Sequence, residues 1–96
     1  MPAYVIAEVD VTDAEACKLY ADKAPGMTLP SGGKYLARAG KVECLEGTPP
    51  KSRVVVIEFP DMAAARAFYY GRAYQEIIPL RQAASEGRMF LVDGVG

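Results

Sequence analysis

Residues 53–59 read Arg-Val-Val-Val-Ile-Glu-Phe, and the aliphatic run at 54–57 constrains the fold more than any other feature of the chain. Successive side chains of an extended segment point to opposite faces, so this run makes both faces of one strand apolar. A strand of that kind belongs in the middle of a sheet that is covered on both sides. Pro60 ends it, and Asp61 follows as the expected N-cap of a helix with Met62, Ala65, Phe68 and Tyr69 on one stripe.

The rest of the chain supplies neighbours for that strand. Residues 4–11 are β-branched and alternate, with Val5, Ala7 and Val9 on one face and Tyr4, Ile6, Glu8 and Asp10 on the other. Thr12 to Glu15 has the spacing of a capping box, which predicts a helix carrying Ala14, Cys17, Tyr20 or Ala21, and Ala24 toward the core. Pro25 should kink or end that helix, and Pro30 with Gly32-Gly33 stops any continuation. Residues 34–38 read as a short strand, Ala39-Gly40 as a turn, residues 41–46 as a hairpin partner and 47–50 as a loop. After Gly71 a second helical stretch runs from about Arg72 to Ser85, divided by Pro79 and closed by Gly87. Residues 88–93 form the last strand, and 94–96 a loose tail.

The order β-α-β-(β)-β-α-β is that of a ferredoxin-like α+β plait, an antiparallel sheet with helices on one face, over a single domain at 1–96. Right-handed crossovers put the first strand and the 53–59 strand in the middle. A chain this short buries only about 60–65% of its unfolded surface alone, so the uncovered apolar face calls for a partner sheet. A homodimer is the expected assembly.

Composition removes several function classes. Eleven Lys and Arg against twelve Asp and Glu leave a formal charge of -1, so neither nucleic acid nor a polyanionic surface is an expected partner. No apolar run reaches the roughly 18 residues of a membrane helix, and the opening residues lack the pattern of a secretory signal. Cys17 and Cys44, too few for a disulfide framework and not in a Cys-x-x-Cys pair, fit a reducing cytoplasm. The chain has no histidine, which removes histidine bases, Ser-His-Asp triads and histidine-ligated zinc or haem. Ser31-Gly32-Gly33-Lys34 is not a phosphate loop, because Thr28 and Tyr35 stand where Gly and Ser or Thr are required. No cofactor and no metal are expected.

Three spaced motifs carry a family resemblance. Gly32-Gly33-Lys34-Tyr35-Leu36-Ala37-Arg38 resembles the Gly-Gly-Arg-Tyr-Leu-x-Arg stretch of the small bacterial family called domain of unknown function 1330. The stretch Arg53 to Pro60, and Tyr74-Gln75 with Arg81, resemble it too, as does the opening strand with its capped helix. Pro30 departs from the usual continuation of a helix into Gly-Gly, and Gly71-Arg72-Ala73 replaces a common Ser-Pro-Glu turn. The resemblance implies the dimeric α/β-barrel plan, two ferredoxin-like sheets face to face with helices outside. It implies no activity. Haem-binding members of the wider barrel group rely on a histidine, which this chain lacks.

The residues with chemistry to offer are charges in strands, tyrosines and two arginines. Glu8 and Glu58 sit in central strands, where an unpaired carboxylate is costly to bury. The six tyrosines outnumber the three phenylalanines, and buried phenols seek hydrogen-bond partners. Arg38 and Arg81 have the donors for a bidentate clamp on a carboxylate. Arg38, Glu58, Tyr69, Tyr74 and Arg81 are therefore the expected ligand-binding set, gathered at one mouth of a sheet–helix cleft that takes a small aromatic or short-chain carboxylate or carbonyl compound. A surface ion-pair cluster tying helix to sheet accounts for the same residues. Two function classes follow: a small-molecule binding module, and a cofactor-independent enzyme of oxygenase or isomerase type on an aromatic or carbonyl substrate.

Overall fold

The structure, a computed structural model, describes residues 1–95. Strand β1 (Ala3–Val11) leads into α1 (Ala14–Lys23) and the short α2 (Pro25–Thr28). Strands β2 (Lys34–Arg38) and β3 (Arg53–Phe59) follow, then α3 (Met62–Tyr70), α4 (Arg72–Ala84) and β4 (Ser85–Asp93). The four strands pair antiparallel in the order β2-β3-β1-β4, so β3 and β1 are central, as the crossover argument requires. The chain is an α+β ferredoxin-like plait.

Local signals account for most element ends. Asp61 caps α3 by accepting from the Ala64 amide at 2.7 Å. The cap of α1 is Asp13, accepting from the Ala16 amide at 3.1 Å, so the capping-box reading that placed Thr12 there is one residue early. Thr12 instead continues the backbone ladder, its amide donating to the Ala84 carbonyl at 2.8 Å. Pro25 opens α2, because a proline at the first helical position forgoes only an amide that has no intrahelical partner. Pro79 lies within the single helix α4 and does not divide it. Gly87 sits inside β4 opposite Val9 and not at a helix end, which lengthens the strand back to Ser85. Gly94 is tied to the residue before β1 by its amide, which donates to the Pro2 carbonyl at 2.7 Å, while Gly96 lies outside the described residues.

The expected strand at 41–46 does not form. Residues 39–52 are an exposed loop, held at its far end by the Ser52 amide on Asp10 Oδ1 (2.9 Å) and by Lys51 Nζ near Asp10 Oδ2 (3.5 Å). At its near end Ala39 takes a left-handed backbone (φ +59°), and its amide still reaches the Val54 carbonyl at 2.9 Å. The Gly32-Gly33 pair has two separate causes. Gly32 adopts φ +90°, and a Cβ on Gly33 would stand 2.6 Å from Thr28 Cγ2 and 2.9 Å from the Thr28 carbonyl oxygen.

Register assigns every strand side chain to a face. Ala3, Val5 and Ala7 of β1 and Ile57 and Phe59 of β3 are buried beneath the helices. Ala3, Val5, Ile57 and Phe59 join Ala65, Phe68, Tyr74, Ile77 and Ile78 in one core. The alternate residues Tyr4, Ile6, Val54, Val56, Phe90 and Val92 line the opposite face, where no helix lies among the described residues. Val55 and Ile57 thus serve one face and Val54 and Val56 the other, as the doubly apolar run demands. A β-bulge between Tyr35 and Ala37 shifts β2 by one residue, so Tyr35 pairs with Ile57 and Arg38 with Val55, both toward the helices.

Candidate functional site

Helix α1 packs mainly on α4 and stands off the sheet, which leaves a cleft between α1 and strands β1, β3 and β2. Its sheet side is Ala7, Val9, Val55 and Ile57; its helix side is Cys17, Tyr20, Ala21 and Ala24. Thr28 and Tyr35 also line it, linked by the Tyr35 hydroxyl donating to Thr28 Oγ1 at 3.1 Å. The cavity measures about 60 Å³, room for a few waters and well under the roughly 300–1,000 Å³ of a drug-sized site.

Polar tips enter this apolar space from several elements. Arg81 of α4 donates from Nη1 to the Tyr74 hydroxyl at 3.1 Å and toward Met89 Sδ at 3.4 Å, with its guanidinium carbon 5.8 Å from the centre of the Tyr20 ring. The Tyr20 and Tyr74 hydroxyls bond each other, so α1 and α4 are joined by a phenol–phenol–guanidinium chain. Burial pushes both phenols above their ordinary value of 10, and for Tyr74 the neighbouring phenol pushes the same way. Both are therefore protonated donors at neutral pH. Arg38, at the end of β2, reaches across the cleft to donate from Nη2 to the Ala21 carbonyl at 2.9 Å and lies over the Tyr35 ring at 5.0 Å.

The five residues expected to share a site are divided by the fold. Arg38 and Arg81 line this cleft, and Tyr74, only 1% exposed, lies behind Tyr20 and holds Arg81 in place. Glu58 is on the other face of the sheet, beside Tyr4 and Lys34, because it has the opposite parity from Ile57. Tyr69 borders a separate groove along β4, with Arg81 and Met89 between it and the cleft. An ion-pair cluster among these residues does not form either: the ion pairs among the described residues are Lys51–Asp10, Arg72–Glu76 and Arg88–Glu8. Of the lining residues with oxygen or nitrogen in their side chains, Tyr20, Thr28, Tyr35 and Arg53 lie outside the expected set. Arg53 has the parity of Val55 and Ile57, a signal that becomes readable once the helix-covered face of β3 is known. No group of acids and cysteines suited to a metal ion occurs among the described residues.

Comparison with known proteins places the same plan elsewhere. A crystal structure of a protein of unknown function from Rhodopseudomonas palustris superposes with a TM-score of 0.78 at 22% identity, over 99% of this chain and 83% of that one. The cofactor-independent oxygenase SnoaB from Streptomyces nogalater superposes at 0.69 with 9% identity, over 99% and 94%. HapK from Hahella chejuensis does so at 0.61 with 16% identity, over 98% and 93%. At these identities the likeness is one of fold, the dimeric α/β-barrel plait. No curated protein matches by sequence. The family model called domain of unknown function (DUF1330) matches residues 2–95, nearly the whole length that carries the glycine pair, the doubly apolar strand and Arg81, and the chain belongs to that family.

Proposed function

We propose that the protein binds a small organic molecule in the cleft between α1 and the sheet. The observation that carries this reading is the cleft itself: an apolar floor of Ala7, Val9, Val55 and Ile57 beneath converging tyrosine and arginine tips. In the structure described, Arg38 closes the space by its single hydrogen bond to the Ala21 carbonyl, and it is an exposed side chain. Release of that one bond enlarges the site without disturbing the core. A thermal-shift screen of small organic compounds tests the reading, since a ligand that binds only the folded state raises the melting temperature. Hits whose effect persists in Arg38→Ala and Arg81→Ala alike would count against it.

We also propose that the working unit is a homodimer joined through the helix-free sheet face. Phe90 and Val92 are each 44% exposed there beside Ile6, Val54 and Val56, an apolar surface that a single chain leaves in water. Light scattering behind a sizing column should give twice the 10.3 kDa chain mass, and Val56→Asp should halve it. A wild-type monomer at micromolar concentration would refute the assembly. The free cysteines Cys17 and Cys44 support a reducing compartment such as the cytoplasm; among the described residues no helix is long and apolar enough to cross a membrane.

A second reading, suggested by the fold shared with SnoaB, is cofactor-independent oxygenase or isomerase chemistry. Proton abstraction needs a base in the site, and the cleft lining holds no Asp, Glu or His, while its phenols are pushed toward the protonated form. The binding reading needs no such group. Turnover of a bound compound, followed by oxygen uptake or product mass, would move the balance to the enzyme.

A further inference from the structure

Three guanidinium groups enter the wall of the cleft, from Arg38, Arg53 and Arg81, and no carboxylate does. Glu58, the acid nearest in sequence, is turned to the opposite face by its parity in β3. Each ion pair among the described residues uses other cations, so none of these arginines is neutralised by an acid. Their partners are neutral: a backbone carbonyl and the Tyr35 ring for Arg38, a phenol, a thioether and the Tyr20 ring for Arg81. Arg53 is half-buried opposite Val9 and has no side-chain hydrogen bond among the described residues. In a chain with twelve acids for eleven bases, such a grouping is unbalanced. Like charges around a water-poor space repel one another, and a bound anion converts that repulsion into attraction.

We propose that the ligand of this cleft is an organic carboxylate, held by Arg53 and Arg81 with Arg38 closing over it, its apolar body lying on Val9, Val55 and Ile57. This rests on the cleft reading above and narrows it to a charge class. A planar carboxylate matches the fork of a guanidinium, and the single charge suits a lining that is otherwise mostly apolar. The neighbouring phenols fit the same class, because a protonated hydroxyl donates to a carboxylate oxygen.

The test uses matched probes of one shape and different charge: benzoate against benzamide, and hexanoate against hexanamide, titrated into the full-length protein and followed by calorimetry. The carboxylates should bind about tenfold tighter than their amides, because charge-assisted hydrogen bonds exceed neutral ones. Added salt should narrow the difference. Arg53→Gln, verified as folded by circular dichroism, should remove most of the carboxylate preference while leaving the amide unchanged. Arg72→Gln, whose partner is Glu76 on the exposed side of α4, should leave both probes unchanged. Amides binding as tightly as carboxylates would overturn the charge assignment and leave the cleft reading standing. Inorganic phosphate binding more tightly than either carboxylate would also overturn it. Binding of none of the probes at millimolar concentration would remove both readings.

Discussion

Replacing Tyr74 by Phe removes one oxygen from the centre of the molecule and tests whether the phenol–guanidinium chain holds α1 to α4. The ring contacts remain, since Phe68 and Tyr69 stack at 4.4 and 5.7 Å between centroids, and the site is only 1% exposed. What is lost is the partner of both the Tyr20 hydroxyl and Arg81 Nη1. Leaving such groups short of a partner costs about 1–3 kcal/mol. Tyr20→Phe is milder, about 0.5–1.5 kcal/mol, because the Tyr74 hydroxyl keeps Arg81 at 3.1 Å. For a domain of this size 1 kcal/mol moves Tm by about 4–8 °C, so the two variants should separate clearly in a thermal melt. Alkaline pH supplies a second readout. Both phenols have pKa values raised in the folded state, so their contribution is complete below about pH 10 and is lost as pH rises through the folded values. Each phenol held neutral in the fold and ionised in the unfolded chain lowers stability by about 1.4 kcal/mol per pH unit there. Urea titrations between pH 9 and 11 should give wild type the steepest decline and either Phe variant a shallower one. The reasoning is refuted if Tyr20→Phe costs as much as Tyr74→Phe, or if both variants keep the wild-type alkaline slope.

Two further outcomes follow from the loop at 39–52. Ala39→Gly should stabilise the protein by up to about 1 kcal/mol in urea, because a left-handed alanine at φ +59° costs more than the extra freedom glycine brings to the unfolded chain. The Asp10 carboxyl, held below its ordinary value of 3.8 by the Ser52 amide and then by Lys51, keeps the loop anchored above that value and releases it as pH falls through the lowered one. The Ser52 amide resonance should therefore titrate with a midpoint below 3.8 in wild type and not at all in Asp10→Asn.

The parts of the fold legible in sequence are those where one physical requirement dominates. The 54–57 run could be satisfied only by a central strand, and Asp61 before an apolar stripe only by a helix start. The strand expected at 41–46 rested on weaker grounds. Its alternation brings Val42 and Cys44 to one side with nothing to cover them, and Asp10 outside the segment anchors the loop instead. For the site, residue chemistry groups Arg38, Glu58, Tyr69, Tyr74 and Arg81; only Arg38 and Arg81 of these line the cleft, and Glu58 falls away because strand parity has no meaning until register is known. The sequence pattern puts Tyr20 toward the core and Arg53 at the start of the apolar strand, with no sign that either meets the cleft. The proximity of Tyr20 to Arg81 depends on how α1 packs on α4, and that of Arg53 to Arg38 on the register of β2 against β3, neither of which a local pattern encodes.

The extra residue in β2 has a consequence for how this family diversifies. Along a regular strand Arg38 would share the side of Lys34, and with it the side of Glu58; with Leu36 interposed it shares the side of Tyr35 and the cleft. Without Leu36, Ala37 and Arg38 would still stand opposite Val56 and Val55, so a regular strand one residue shorter keeps Arg38 on the cleft side. The bulge thus absorbs a one-residue difference in spacing between the glycine pair and this arginine, and relatives with or without the extra residue would present the guanidinium to the same face. At this edge of the sheet a one-residue change in length would be silent, and a change of facing would require loss of the bulge with the extra residue still in place.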